Sequence, residues 1–205
     1  PARALYRASD CHGHARHVPR TIGSTTYGVA KNVRLRGVRV LGCNGSGSFS
    51  AIIAGVDWVR LNATKPAVAN MSLGGGFSSS LNTAVTNLSN SGVFVAVAAG
   101  NENQNACNVS PASASGVFTT ASSTSSDAKS SFSNWGSCVE AYAPGSSITS
   151  TYLNSGTATM SGTSMASPHV AGVAALYKGT FGDASSSTIS NWLITNATTG
   201  VITGN

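Results

Sequence analysis

Along the first half of the chain, segments with the apolar pattern of a strand alternate with segments that have apolar residues at helical spacing. This alternation predicts a parallel sheet. A mainly apolar run at residues 67–73 and an all-apolar run at 93–99 predict buried strands, and the β-branched and aliphatic residues of 33–41 predict another. Residues 50–61 and 79–90 carry apolar residues at helical spacing and predict helices. The order strand, helix, strand, helix, strand requires crossover connections, so the strands are expected to be parallel.

The second half of the chain predicts short strands followed by two helices. Residues 117–150 alternate short apolar stretches with turns, and residues 186–196 predict an amphipathic helix with a serine cap. In the stretch 161–177, the residues from Pro168 onward are small or apolar on every side, which is typical of a helix buried all round. Pro168 is tolerated only in a first turn, so this helix should begin near Ser164. No internal repeat or second domain is indicated, and residues 1–205 are expected to form one domain.

Length and composition describe a compact globular chain. It has 205 residues, of which 41% are hydrophobic and 9% charged, enough for one domain with a core. No apolar run approaches the roughly 20 residues of a membrane span, and no signal-peptide pattern opens the chain. We therefore expect a processed or partial chain and no membrane partner.

The net charge of +6 is concentrated near the beginning of the chain. Eight of the 12 basic residues lie in the first 39 positions: Arg3, Arg7, Arg16, Arg20, Lys31, Arg34, Arg36 and Arg39. No aromatic residues alternate with them as a base-stacking surface would require. Nucleic acid is therefore not expected as a partner.

Four cysteines, Cys11, Cys43, Cys107 and Cys138, indicate the compartment. The count is even and no C-x-x-C pair suggests zinc or redox chemistry. Two disulfides in a secreted, extracellular protein are the natural inference. The residues alone leave three pairings open.

Ser164 stands at the predicted start of the buried helix. A hydroxyl there feels the positive end of the helix dipole and lies beside backbone N–H groups without helical partners, which suits a nucleophile whose attack creates an oxyanion. The alternative is a serine that only caps the helix.

The sequence G-T-S-M-A-S-P-H-V-A-G at 162–172 resembles the nucleophile motif of the subtilisin-like serine proteases, the subtilases. The G-x-S-x-G elbow of other hydrolases fits less well, because Ala166 stands where its second glycine belongs. The resemblance implies an α/β fold with a doubly wound, mostly parallel sheet and helices on both faces, truncated in this chain at both ends. It makes Ser164 the nucleophile of a peptidase that needs no cofactor for its chemistry.

Residues 10–23 resemble the subtilase histidine motif, and the match makes His14 catalytic and His17 structural. Four residues depart from the motif: Ala15, Arg16, Pro19 and Arg20. Pro19 should break a helix unless it falls in the first turn, and the two arginines need solvent. A metal site at His12, His14 and His17 is the alternative, although only Asp10 is at hand to complete it.

The resemblance implies roles for four further groups of residues. Asn101 is the oxyanion-hole asparagine, acting with the Ser164 N–H, and the alternative is a turn asparagine without a role. Residues 44–47 and 72–76 grip a peptide as an added strand, and their glycines would open the primary pocket to aromatic or aliphatic side chains. The proteinase-K-like and aqualysin-like members imply Cys11–Cys43 and Cys107–Cys138 disulfides, and calcium at Ser115, Val117 and Glu140. The two gripping segments comprise Asn44, Gly45, Ser46, Gly47, Ser72, Leu73, Gly74, Gly75 and Gly76.

The function implied is that of a secreted serine endopeptidase with broad specificity for apolar or aromatic residues before the scissile bond. Polypeptide substrates and an inhibitory pro-segment are its expected partners, and a monomer its expected state. One member of the triad is missing, because only Asp10 precedes His14 and it lacks the subtilase acid motif. A subtilase-like domain that binds peptides without cleaving them is therefore the alternative.

Overall fold

The computed structural model describes residues 13–152 and 156–205. In these residues the chain forms five helices, and each begins close to a residue able to cap it or to a glycine. They are α1 (His14–Gly23), α2 (Phe49–Asn62), α3 (Ser79–Asn90), α4 (Thr163–Phe181) and α5 (Ser186–Asn196). Side chains of Ser48, Ser78 and Ser185 accept a backbone N–H from the first turns of α2, α3 and α5.

The described strands form one larger sheet and two small ribbons. They are β1 (Val68–Met71), β2 (Gly75–Gly76), β3 (Phe94–Ala98), β4 (Val109–Ser110), β5 (Phe118–Ser123), β6 (Ala141–Pro144), β7 (Ile148–Thr151) and β8 (Thr157–Met160). The larger sheet has the order β1-β3-β5-β6, and all its pairs are parallel. Two antiparallel ribbons pair β2 with β4 and β7 with β8. The parallel sheet predicted from the alternating pattern is confirmed.

Side chains of β3 alternate between two cores, because successive residues of a strand point to opposite faces. Val95 and Val97 belong to one cluster with α2 and α3, whereas Phe94 and Ala96 belong to another with α4 and α5. Every residue of β3 is buried. Helices therefore cover both faces of the sheet, as the predicted α/β fold requires.

Helix α4 is the central helix, since it packs against β1, β3, β5 and β6 as well as α1. Ala166, Ala171 and Ala174 have no exposed surface. Further along, Leu176 is 48% exposed, so the prediction of a helix buried all round holds only for its earlier turns. Helix α4 begins at Thr163, next to Ser164 as predicted, and Pro168 is its sixth residue and therefore lies just past the first turn.

The strand predicted at 33–41 is wrong, because these residues lie in neither a helix nor a strand. A strand needs a hydrogen-bonding neighbour, and within the described residues no named strand pairs with this segment. Val40 and Leu41 instead pack against the core cluster that contains Ile52 and Val56 of α2. Apolar composition alone could not distinguish the two arrangements.

Helix α1 continues through Pro19, so the expected break does not occur. Arg16 and Arg20 are exposed, as a charged pair in this motif requires. His17 is fully buried, and its Nε2 lies 3.0 Å from the carbonyl oxygen of Ile148 and 3.2 Å from that of Ala158. That nitrogen therefore carries a proton and anchors α1 to the β7–β8 ribbon.

Of the two predicted disulfides, Cys107–Cys138 is confirmed, with Cα atoms 5.4 Å apart. Cys11 lies outside the described residues, as do Asp10 and His12. The Cys11–Cys43 pair therefore remains a prediction.

Candidate active site

The start of α4 meets the loop that follows β1 through two serines. The hydroxyl of Ser72 donates to the carbonyl oxygen of Ser164 at 2.8 Å, and the Ser164 hydroxyl lies 3.4 Å from the carbonyl oxygen of Ser72. In a helix, the Ser164 carbonyl would accept the N–H of residue 168, which is a proline and has none. The Ser72 hydroxyl thus takes the place of the missing helical donor.

Ser72 is held in turn by the side chain of Asn70, which is itself held by Ser167. The amide Nδ2 of Asn70 donates to the Ser72 hydroxyl at 3.0 Å, and the Ser167 hydroxyl donates to Asn70 Oδ1 at 2.7 Å. Ser167 is fully buried on α4. The end of β1 and the first turns of α4 are therefore joined by a continuous chain of hydrogen bonds.

Asn101 reaches the same helix terminus from the loop after β3. Its Oδ1 accepts the backbone N–H of Thr163 at 2.8 Å and the Thr163 hydroxyl at 3.0 Å. The Thr163 hydroxyl also accepts the N–H of Gly100 at 3.1 Å. With the amide oxygen occupied, Asn101 presents its Nδ2 donors beside Gly162, where a methyl group would lie 3.7 Å from that nitrogen.

Ser72 and Asn101 both lie in loops that follow the carboxyl ends of parallel strands, β1 and β3, which is where ligands bind in sheets of this kind. Both contact the first turn of α4, where backbone N–H groups lack intrahelical acceptors. Ser164 is half-buried and Asn101 exposed, so both are accessible from solvent. The arrangement places a hydroxyl and an amide donor at the positive end of a 19-residue helix.

His14 is the first residue of α1, and α1 packs against α4. It is half-buried and therefore open to solvent on one side. His169 is a different kind of histidine: its Nδ1 donates to the carbonyl oxygen of Met165 at 2.8 Å, and burial lowers its pKa. His169 is therefore a neutral structural side chain within α4, and the role predicted for His14 in proton transfer remains a prediction.

The two predicted gripping segments have different backbones. Residues 42–46 form a closed turn in which the Gly42 N–H donates to the carbonyl oxygen of Ser46 at 2.8 Å. Gly75 and Gly76 form β2, and a methyl group at Gly75 would lie 3.2 Å from Phe49 Cζ. Phe49 thus borders the glycine segment and narrows the space beside Gly75.

Glu140 offers the only side-chain carboxylate among the three predicted calcium ligands. Its Oε2 accepts the Thr119 N–H at 2.5 Å, and burial raises its pKa to about 7. A cavity of about 420 Å³ adjoins Glu140, Gly116 and Val117. Oxygen ligands of this kind, with space for water beside them, fit a calcium ion, which would stabilise the charged carboxylate.

No cluster of three or more His, Cys, Asp or Glu suited to a metal occurs within 13–152 and 156–205. The histidine-cluster alternative includes His12 and Asp10, which lie outside the described residues; its member His17 has Nε2 in contact with two carbonyl oxygens. Nor does any helix in the described part of the chain have the length and apolar character to cross a bilayer.

Sequence reasoning missed Thr163, Asn70 and Ser167, because their importance lies in contacts across 62 to 97 residues of sequence. Thr163 does lie next to Ser164 within the motif. Within that motif the sequence indicated a chemical role only for Ser164.

The chain is similar in sequence to several known proteases. Over 196 residues the chain is 58% identical to the alkaline serine exoprotease A of Vibrio alginolyticus, covering 96% of the chain and 37% of that protein. It is 56% identical to an extracellular serine proteinase of Thermus sp. (95% and 48% covered) and 56% identical to the subtilisin-like serine protease AsES of Sarocladium strictum (96% and 52%). The chain thus spans about half the length of these relatives, or less.

A solved structure of a similar protein has the same fold. The crystal structure of a cold adapted subtilisin-like serine proteinase superposes with a TM-score of 0.94 at 54% identity, covering 96% of this chain and 72% of that one. The sequence profile of the subtilase family matches residues 3–205. The chain, with its serine at the start of the central helix, belongs to the subtilase family.

Proposed function

We propose that the protein carrying this chain is a secreted serine endopeptidase in which Ser164 is the nucleophile. The observation that carries the proposal is the orientation of Asn101. Its oxygen is fixed by the N–H and hydroxyl of Thr163, the residue before Ser164, and its Nδ2 lies beside Gly162. A donor fixed in this way before substrate binds can stabilise a developing oxyanion without reorganisation.

In the proposed mechanism His14 accepts the proton of the Ser164 hydroxyl as that oxygen attacks the peptide carbonyl. The negative oxygen of the tetrahedral intermediate then receives hydrogen bonds from Asn101 Nδ2 and the Ser164 N–H. His14 returns the proton to the leaving amine, which leaves an acyl-enzyme on Ser164. Water, deprotonated by His14, hydrolyses that ester and restores the serine.

A third group must orient His14 and stabilise its charged form. We propose that this carboxylate comes from a part of the protein outside this chain, whose relatives are about twice as long. Asp10 is the only acidic residue that precedes His14. In the absence of such an acid the rate falls by about 10⁴ in the well-studied serine protease triad, so this chain by itself should be a poor protease.

Substrates are proposed to bind as an extended strand along residues 72–76, with residues 44–47 opposite. Backbone hydrogen bonding of this kind depends little on sequence. Exposed Phe49 and Phe77 lie at the glycine segment, which favours apolar or aromatic side chains before the scissile bond.

Calcium is proposed as a structural ion held by Glu140 and the carbonyl groups of Ser115 and Val117. It would supply no step of the chemistry and would offset the burial of the Glu140 carboxylate. One domain, a monomeric state and an inhibitory pro-segment complete the proposal.

A fluorophosphonate probe tests the function, because it reacts only with an activated serine. Labelling of Ser164, found by peptide mass spectrometry and lost in Ser164→Ala, is expected for the protein with its complete triad. Binding of a peptide without labelling would instead favour the non-catalytic alternative. Labelling at another serine would exclude Ser164 as the nucleophile.

A further inference from the structure

Asn134 has a buried side chain whose hydrogen bonds all converge on the loop that carries Asn101. The Asn134 side chain is fully buried, and its Nδ2 donates to the Ala99 carbonyl oxygen at 2.9 Å and to Glu102 Oε2 at 2.9 Å. Its Oδ1 accepts the N–H groups of Glu102 at 3.1 Å and Gln104 at 3.0 Å. One amide thus binds residues on both sides of Asn101.

We propose that Asn134 is a positioning residue for the oxyanion donor of this site, acting through Glu102. The inference rests on the proposed function, since it assigns Asn101 the role of that donor. The same Glu102 Oε2 that accepts from Asn134 also accepts the backbone N–H of Asn101 at 2.9 Å. Asn134 therefore reaches the Asn101 backbone through a single shared oxygen.

The side-chain amide of Asn134 has no spare hydrogen-bonding capacity. An amide offers two donors and two acceptor positions, and here both donors and both acceptor positions are used. A buried polar group that loses partners is destabilised, so this side chain resists reorientation. The backbone N–H of Asn134 also donates to the Gly100 carbonyl oxygen at 3.0 Å, which adds a fifth contact to the same loop.

Gly100 shows how closely Asn134 approaches the loop. Its φ is +103°, a conformation that disfavours other residues, and a methyl group on it would lie 2.2 Å from Asn134 Nδ2. The tight turn before Asn101 therefore depends on both the glycine and the asparagine. Asn134 contacts the loop and not the reacting groups, so its proposed role is to position Asn101 rather than to take part in the reaction.

Asn101 is consequently held at two places, its side-chain oxygen and its backbone. Thr163 fixes the side-chain oxygen, and Asn134 with Glu102 fixes the backbone. Since oxyanion stabilisation requires donors placed within a few tenths of an ångström, loosening the backbone should weaken it even with Thr163 intact. The loss should fall on kcat, because the oxyanion exists only after attack.

The kinetic test uses Asn134→Asp, Glu102→Ala and Glu102→Gln in the complete protease with a chromogenic peptide. Losing one oxyanion donor lowers the rate by about 10² to 10³, so a displaced donor should lower kcat by about 10-fold or more while KM stays within about twofold. Glu102→Gln should recover most of the activity lost in Glu102→Ala, since its Oε1 can accept both hydrogen bonds. Asn82→Asp is the matched control, a partly buried asparagine on α3 that donates to Ser113 at 2.9 Å away from the site.

The decisive comparison repeats Glu102→Ala and Asn134→Asp in an Asn101→Ala background. If both residues act through Asn101, neither should lower kcat by more than about twofold there. Equal losses with and without Asn101, a rise in KM with constant kcat, or unchanged kcat in both single variants would overturn the proposal.

Amide hydrogen exchange gives a readout that does not require catalysis. Glu102→Ala should speed exchange at the N–H of Asn101, and Asn134→Ala, which removes the acceptor oxygen that Asn134→Asp would keep, should do so at Asn101, Glu102 and Gln104, with the amides of β3 unchanged. If the wild type cleaves no peptide, the proposed function fails, while this exchange pattern still decides whether Asn134 holds the loop. Unchanged exchange at all three amides would overturn the inference by itself.

Discussion

The Ser72 hydroxyl donates to the Ser164 carbonyl oxygen, the group that Pro168 leaves without its helical donor. A proline four residues after the nucleophile thus opens a position on the helix for a residue of the neighbouring loop. The helix gives up one internal bond and gains one contact across 92 residues of sequence.

Replacing Ser72 with alanine should therefore destabilise the fold by about 1 kcal/mol, because a partly buried carbonyl loses its donor. Pro168→Ala restores an N–H at the helical position and should reduce the cost of Ser72→Ala. Chemical denaturation of the four proteins in this double-mutant cycle measures the coupling. Costs that simply add would show that Ser72 does not replace the missing helical bond.

Ser164→Ala and His14→Ala should each abolish most peptidase activity of the complete protein. Because the two residues act as one unit, the double variant should be no slower than either single variant. Steady-state kcat on a peptide substrate tests this. Strictly additive losses would argue against the pairing of these two residues.

Thr163→Val keeps the shape of the side chain but removes the hydroxyl that bonds Asn101 and accepts from Gly100. We expect kcat to fall by about tenfold with little change in KM, since the side-chain oxygen of Asn101 then accepts only from the Thr163 N–H. Thr163→Ser retains the hydroxyl and should retain most of the rate. A serine variant as slow as the valine variant would attribute the loss to packing instead.

These three predictions show where sequence was sufficient and where it was not. The strand near 93–99 was predictable because burial on both faces leaves an unbroken apolar run, the strand near 67–73 because apolar residues predominate in it, and the helix at 79–90 because its period is local. The segment 33–41 has the same composition as a strand, but a strand also depends on a partner elsewhere in the chain. Asn134 lies in an ordinary turn sequence, and only its contacts with residues 99–104 distinguish it.

Glu140 should make stability depend on pH. Burial raises its pKa from 4.5 to about 7, so the folded state favours the protonated form. Its contribution is complete below about pH 4.5 and is lost as the pH rises through about 7. The carboxylate is partly exposed, which moderates the effect. Thermal unfolding across this range should show a fall in Tm that is smaller in Glu140→Gln.

Added calcium should restore Tm at the upper end of that range if Glu140 is a ligand, and the glutamine variant should respond less. The same fall in Tm in both proteins, with no effect of calcium on either, would assign the pH dependence to other groups.

Lys178 and Asp183 form a second test of buried charge. The Lys178 side chain is 2% exposed, and its Nζ donates to Asp183 Oδ1 at 2.6 Å and to the Gly92 carbonyl oxygen at 2.9 Å. Asp183→Asn leaves the buried cation without its counter-charge, whereas Lys178→Met removes the charge and keeps most of the packing. Asp183→Asn should therefore lower the free energy of unfolding more than Lys178→Met, and the reverse order would contradict this reading of the pair.

The Cys107–Cys138 disulfide closes a loop of the chain that contains Asn134, and Cys107 follows shortly after the segment that Asn134 holds. A covalent tie therefore keeps the amide and its target segment within reach of each other even when the hydrogen bonds between them open briefly. In a reducing compartment that tie is lost, and only the hydrogen bonds would limit the separation of the two segments. The redox state of the surroundings thus becomes part of what keeps Asn101 in place.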